Sequence, residues 1–138
     1  MKSLDTLIKL EKARVDDMRR MVAQLQDVFD RIESEIMDLI ASRLNEEAVA
    51  RTASPDERIT LAPFLAQVRQ RLALLEQARV EAAAAIEAGR EKLAEAFETQ
   101  KRYEIIRDQR DAAALVEENR QEQLTLDEMA AQAHERKQ

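Results

Sequence analysis

Between Leu4 and Leu39 the chain keeps one rhythm: Leu4, Ile8, Glu11, Val15, Met18, Val22, Leu25, Phe29, Ile32, Ile36 and Leu39 follow at alternating steps of three and four, and only Glu11 is polar. A seam of average period about 3.5, held for about five heptads, is the pattern of a helix packed along another helix in a left-handed coiled coil. Nothing from Asp5 to Asn45 breaks a helix, and charged residues fill the opposite faces. The spacing predicts a first helix over residues 3–51, about 70 Å long.

The seam stops between Arg51 and Pro63. Ser54-Pro55-Asp56-Glu57 has the order of a capping box, with a serine acceptor, proline at the first helical position and an acid three residues on. Thr60-Leu61-Ala62-Pro63 offers a second start. Residues 52–62 therefore read as the turn between two helices, with room for one short helical turn. From Pro63 to about Glu135 there is no further proline, and Gly89 is the only weak spot. A second helix over 63–135, about 105 Å long, follows. Its seam runs Leu65, Val68, Leu72, Leu75, Arg79, Ala82, Ile86, Gly89, Leu93 and Ala96, and turns polar at Gln100, Tyr103, Arg107 and Arg110.

A short connection makes the two helices antiparallel neighbours. The expected fold is all-α: a single helical hairpin over 1–138, its second helix longer and overhanging at the C-terminal end. Folding about residue 57 sets Phe29 and Ile32 opposite Ala82 to Ala85, and Leu25 opposite Gly89. Large residues then meet small ones, as close packing requires. The first helix is used up when the second reaches about Arg110. Beyond it the chain is at its most acidic, with seven acids against three bases from Asp111 onward. It still carries a thin apolar line of Ala112, Leu115, Leu126, Met129 and Ala133. An unpaired acidic helix is marginal in water, so this tail reads as a surface kept for another protein.

Composition removes most chemistry. A single glycine cannot build a phosphate-cradling loop or a dinucleotide fold, and the absence of cysteine removes disulfides, thiolate nucleophiles and structural zinc. A net charge of −6 argues against nucleic acid as the main partner. No apolar run approaches a membrane span and no signal peptide opens the chain, so a cytosolic helical protein without integral membrane insertion is expected. His134 sits among charged neighbours, where a solvated terminal residue is the simpler reading than a ligand or catalyst. Asp16-Asp17, Asp27 with Asp30, and Glu46-Glu47 lack the spacing and the glycine turn of a calcium loop. Lys101, Arg102, Arg107 and Arg110 are interspersed with acids and read as ion pairs along a helix, with a protein or anionic-lipid contact as the other reading. No catalytic, cofactor-binding or metal-binding residue is expected.

Phe64, Val68, Arg71 and Leu75 form a line near the closed end. Val68 and Leu75 belong to the seam, whereas Phe64 lies beside it and is either core at the turn or an anchor for a partner. Leu7 and Leu10 fall off the seam at the open end, and two leucines beside an acidic helix make the mixed apolar and charged tip of a docking element.

At both ends the residues resemble a known family. Leu4-Asp5-Thr6-Leu7, then Leu10 and Val15-Asp16-Asp17, resemble the opening of the flagellar export protein FliJ family. Ala112-Ala113-Ala114-Leu115, Glu118-Asn119-Arg120, Asp127-Glu128 with Ala130, and the closing Arg136-Lys137 occur in that family's order and spacing. The resemblance implies a coiled-coil stalk, similar to that of the rotary ATPase gamma subunit. Such a stalk inserts into the hexameric flagellar export ATPase, promotes its activity, contacts the cytoplasmic part of the membrane export gate and interacts with export chaperones. It implies ATPase contacts at Leu4, Leu7, Leu10, Ala112, Leu115, Glu118, Asn119, Arg120, Asp127, Glu128 and Met129. It implies a gate-facing patch at Phe64, Val68, Arg71 and Leu75, with Arg71 and Leu75 standing where small and polar residues are usual. The protein would act in flagellum assembly and motility at the inner face of the cell membrane, with no enzymatic activity of its own.

Other readings of the same residues are a generic dimerising coiled-coil adaptor, a holdase for unfolded export cargo, and the equivalent stalk of a virulence-type secretion system. The five methionines are scattered rather than gathered into the flexible apolar face that a holdase needs, and the tail residues favour the flagellar stalk over the virulence-type one.

Overall fold

The computed structural model describes residues 2–137; Met1 and Gln138, the ends of the expected 1–138 hairpin, lie outside the described residues. The order is helix α1 (Lys2–Thr52), a 3-10 turn (Glu57–Thr60) and helix α2 (Leu61–Lys137). The fold is all-α, two helices packed against each other with the second longer, and no strand occurs among the described residues. By its contacts the chain divides into two units. One is Val15–Ala94; the other joins the residues up to Arg14 with those from Glu95 onward.

Within Val15–Ala94 the chain is a helical hairpin. The capping box forms as expected, since the Ser54 N–H donates to Glu57 Oε2 (3.2 Å) and the Glu57 N–H donates to Ser54 Oγ (3.4 Å). It closes the turn that leads into the short 3-10 segment rather than opening the long helix. That turn re-aims the chain, and α2 then starts at Leu61, two residues ahead of Pro63. Proline is tolerated there because the N–H it lacks is one that a first helical turn leaves without an acceptor. Arg58 returns a guanidinium N–H to the Arg51 carbonyl oxygen (3.4 Å), satisfying one of the carbonyls that end α1.

The seam is where the periodicity puts it. Val15, Val68, Leu75, Ile86 and Gly89 are buried, and the seam residues from Met18 to Leu39 are half-buried. Half-burial is common in a two-helix seam, because a single neighbouring helix covers most side chains from one direction only. At Gly89 the helices lie close together: a Cβ built there would stand 3.2 Å from Val22 Cγ2, 3.4 Å from Leu25 Cδ1 and 3.6 Å from Met21 Cε. The Leu25–Gly89 pairing expected from folding about residue 57 is therefore present. Arg79, the charged seam residue, stays in the seam by turning its guanidinium outward between Glu76 and Glu33 (3.6 Å to the latter). Those two carboxylates raise its pKa, Glu76 contributing most. Arg71 and Glu35 tie the helices together at 3.2 Å on the other side.

In the second unit, Leu4, Ile8 and Ala96 are buried, and Gln100, Tyr103 and Arg107 are half-buried. Glu11 keeps its seam position at a price, because its Oε2 is buried without a hydrogen-bond partner. From Asp108 to Lys137 every residue is exposed. The paired stretch of α2 thus ends near the expected Arg110, and the tail continues as regular helix two residues past the expected Glu135.

Candidate partner-binding surfaces

The tail is built as a self-supporting helix. Arg120 donates to both carboxylate oxygens of Glu117 (3.1 and 2.9 Å), Gln121 donates to Glu117 (3.0 Å), and Gln123 donates to Asp127 (3.1 Å). All are separations of three or four residues, the spacing at which helix side chains meet. The Arg120 and Gln121 bonds hold the Glu117 carboxyl below its ordinary value, and Glu117 raises Arg120. Above this charged network the tail shows Leu115 at 59% and Met129 at 60% exposure, on the line that also carries Ala112, Leu126 and Ala133. Glu118, Asn119 and Glu128 are exposed on the same helix. Leucine and methionine left in water over several turns, among acids, form an unpartnered amphipathic surface.

At the start of α1 the expected trio separates. Leu7 and Leu10 are exposed, whereas Leu4 is buried in the seam. Sequence reasoning passed over Ile105 and Ile106, both exposed on α2 of this unit. Their signal was present: Ile106 directly precedes seam residue Arg107, as Leu7 precedes Ile8, so the antiparallel register sets Ile106 on the side of Leu7. Val116 and Leu124 in the tail were likewise missed because they lie off the single line that the spacing traces. The basic cluster in this unit is internally answered. Lys101 bridges to Glu104 at 3.3 Å and lies 5.2 Å above the Phe97 ring, and Arg102 pairs with Glu98 at 2.9 Å. The hydrogen bond from Gln100, followed by Lys101 and Lys12, lowers the pKa of Glu104.

The second line, in Val15–Ala94, also divides. Val68 and Leu75 are buried seam residues, and Arg71 is exposed but engaged with Glu35. Phe64 is half-buried on the wall of a groove of about 290 Å3 that Glu46, Val49, Ala50, Ala53 and Leu61 also line. The two sequence readings of Phe64 thus meet: its ring closes the turn and one flank stays open.

Among the described residues no three His, Asp or Glu side chains gather as a metal ion requires, and no helix is long and apolar enough to cross a membrane. A family model described as flagellar FliJ protein matches residues 1–138. No curated protein and no solved structure matches the chain.

Proposed function

Because the chain belongs to the flagellar FliJ family and so has a role in flagellar protein export, we propose that it is the stalk which binds and stimulates the hexameric export ATPase. Through a separate surface it contacts the cytoplasmic part of the membrane export gate, and it also engages export chaperones. The observation that carries this reading is the tail: thirty residues of continuous, fully exposed helix from Asp108 to Lys137 with leucine and methionine outward. In this reading Leu7, Leu10, Ala112, Leu115 and Met129 supply apolar contact. Glu118, Asn119, Arg120, Asp127 and Glu128 supply the polar rim that fixes orientation. Leu4 shapes that end from within the seam. At the gate-facing line Phe64 and Arg71 make the contact, and Val68 and Leu75 hold them in place.

The mechanism needs no chemistry on this chain. A single helical element inside a ring of six like subunits cannot meet all of them equally, so its contacts favour some subunit conformations over others. Stimulation then arises from the difference in contact free energy between ring states. The stalk itself hydrolyses nothing, and it acts in the cytoplasm at the inner face of the membrane.

Phosphate release by the purified ATPase with and without this chain tests the reading. The wild type raises the rate, whereas Leu115→Asp, Met129→Asp and a truncation after Arg110 leave it near basal, with the hairpin's helicity retained. Full stimulation by the truncated chain refutes the role given to the tail.

A further inference from the structure

One side of the Val15–Ala94 hairpin carries apolar residues that neither the seam nor the surfaces above employ. On α1, Met37 and Ile40 follow the seam positions Ile36 and Leu39 by one residue, and Leu44 lies one heptad beyond Met37. Met37 is 71% exposed, Leu44 56%, and Ile40 is half-buried. On α2, Val80 follows Arg79 by one residue and is 61% exposed. In an antiparallel pair, positions that follow the seam on one helix adjoin those that follow it on the other. These four therefore share one face. Beside them lies a hollow of about 280 Å3, lined by Leu65 and Leu72 with Arg43, Glu47 and Arg69 at its edges.

We propose that this face receives a second copy of the chain, two hairpins stacking side on side into four helices. Three observations favour that occupant. The charges on the face balance, Glu33, Glu47 and Glu76 against Arg43, Arg69 and Arg79, although the whole chain carries −6. Two copies can thus approach here without the repulsion that two acidic tails would meet. The hollow has leucines on its wall and charges of both signs at its edge, a shape that takes a large apolar side chain such as Met37 from the other copy. Finally, the seam residues from Met18 to Leu39 are only half-buried, so a second layer on this side completes a core that one pair of helices leaves open.

Size sets the strength. The face extends over about 20 residues of helix, about 30 Å, and two helix diameters, about 20 Å, so it covers about 600 Å2 per copy. The total of about 1,200 Å2 is at the low end of specific interfaces, which predicts a reversible dimer of micromolar rather than nanomolar affinity.

Sedimentation equilibrium of the full chain from about 1 to 300 μM tests this. The expected result is a monomer–dimer equilibrium inside that range. Met37→Glu and Leu44→Glu, both at exposed positions, weaken it at least tenfold with unchanged helicity by circular dichroism. The tail variant Leu115→Asp leaves the dimer intact, and this separates the proposal from the stalk role, which Leu115→Asp should abolish. A strict monomer throughout, or a dimer that Leu115→Asp dissolves and Met37→Glu does not, overturns it.

Discussion

At Gly89 the second helix lies close enough to the first for an added Cβ to crowd its side chains, and its replacement measures how much that close approach is worth. The residue sits in regular helix with no positive φ, so alanine suits the backbone and gains about 1 kcal/mol in helix propensity over glycine. Against this, the new Cβ stands 3.2 Å from Val22 Cγ2 and 3.4 Å from Leu25 Cδ1. Ordinary carbon contacts lie at about 3.5–4.0 Å, so the neighbours must give by a few tenths of an ångström. Val22 and Leu25 are half-buried and open on their solvent sides, which lets them yield at a cost below the propensity gain. Gly89→Ala should therefore stabilise the hairpin by about 0.5 kcal/mol, or about 2 °C in Tm for a chain of this length. Gly89→Leu forces three further carbons into the same gap and should destabilise by about 2 kcal/mol. Thermal unfolding by circular dichroism, with hydrogen exchange at the amides near Val22 and Gly89, reads both. If alanine destabilises by more than 1 kcal/mol, or leucine is tolerated without loss, the helices do not approach here as described.

Glu11→Leu replaces a carboxylate whose buried oxygen lacks a hydrogen bond with a side chain that continues the seam, and should stabilise by about 1–3 kcal/mol. Slower hydrogen exchange near Ile8 and Ala96 checks it, and Glu11→Gln, which keeps a buried polar end, should recover little of the gain. Ser54→Ala removes the hydroxyl that accepts from the Glu57 N–H and should cost about 1 kcal/mol in urea unfolding, with an unchanged m value. Glu117 should titrate by carboxyl NMR below the ordinary glutamate value, and Arg120→Gln should move it back up. Its folded pKa is depressed, so its contribution to helix stability is present above the unfolded value and is lost as pH falls through the folded one.

The two long helices were legible because their signal is repetitive. A 3.5-residue seam accumulates over dozens of residues, and one misleading position such as Glu11 or Arg79 does not shift it. The pairing of Leu25 with Gly89 was legible for a related reason: a hairpin with a short turn has one free number, its fold point, and matching large residues to small ones fixes it. The turn was less legible. Ser54 and Glu57 form the expected box, yet the same four residues can open a long helix or precede a separate 3-10 turn, and their spacing does not distinguish the two. Surface residues were harder still, because spacing gives the face a residue occupies and not how much of it stays open. Leu4 lies on the seam and is buried, whereas Leu7 stands one position before the seam residue Ile8 and is exposed.

That single-position difference bears on how the tail works. An exposed helix of thirty residues has no seam to hold it, so order along it must come from within, through pairs such as Arg120–Glu117 and Gln123–Asp127 at helical spacing. A partner that meets an already helical tail need not supply the ordering free energy that a disordered segment demands on binding. More of its contact with Leu115 and Met129 then remains to discriminate between conformations of the partner. Weakening the internal pairs without touching the apolar line, as Arg120→Gln does, should therefore lower affinity while leaving the maximal stimulation at saturation unchanged. Leu115→Asp should lower both. A titration of ATPase rate against each variant separates the two effects, and an Arg120→Gln variant that lost maximal stimulation with unaltered affinity would show that Arg120 acts only through its contact in the polar rim and not by ordering the helix.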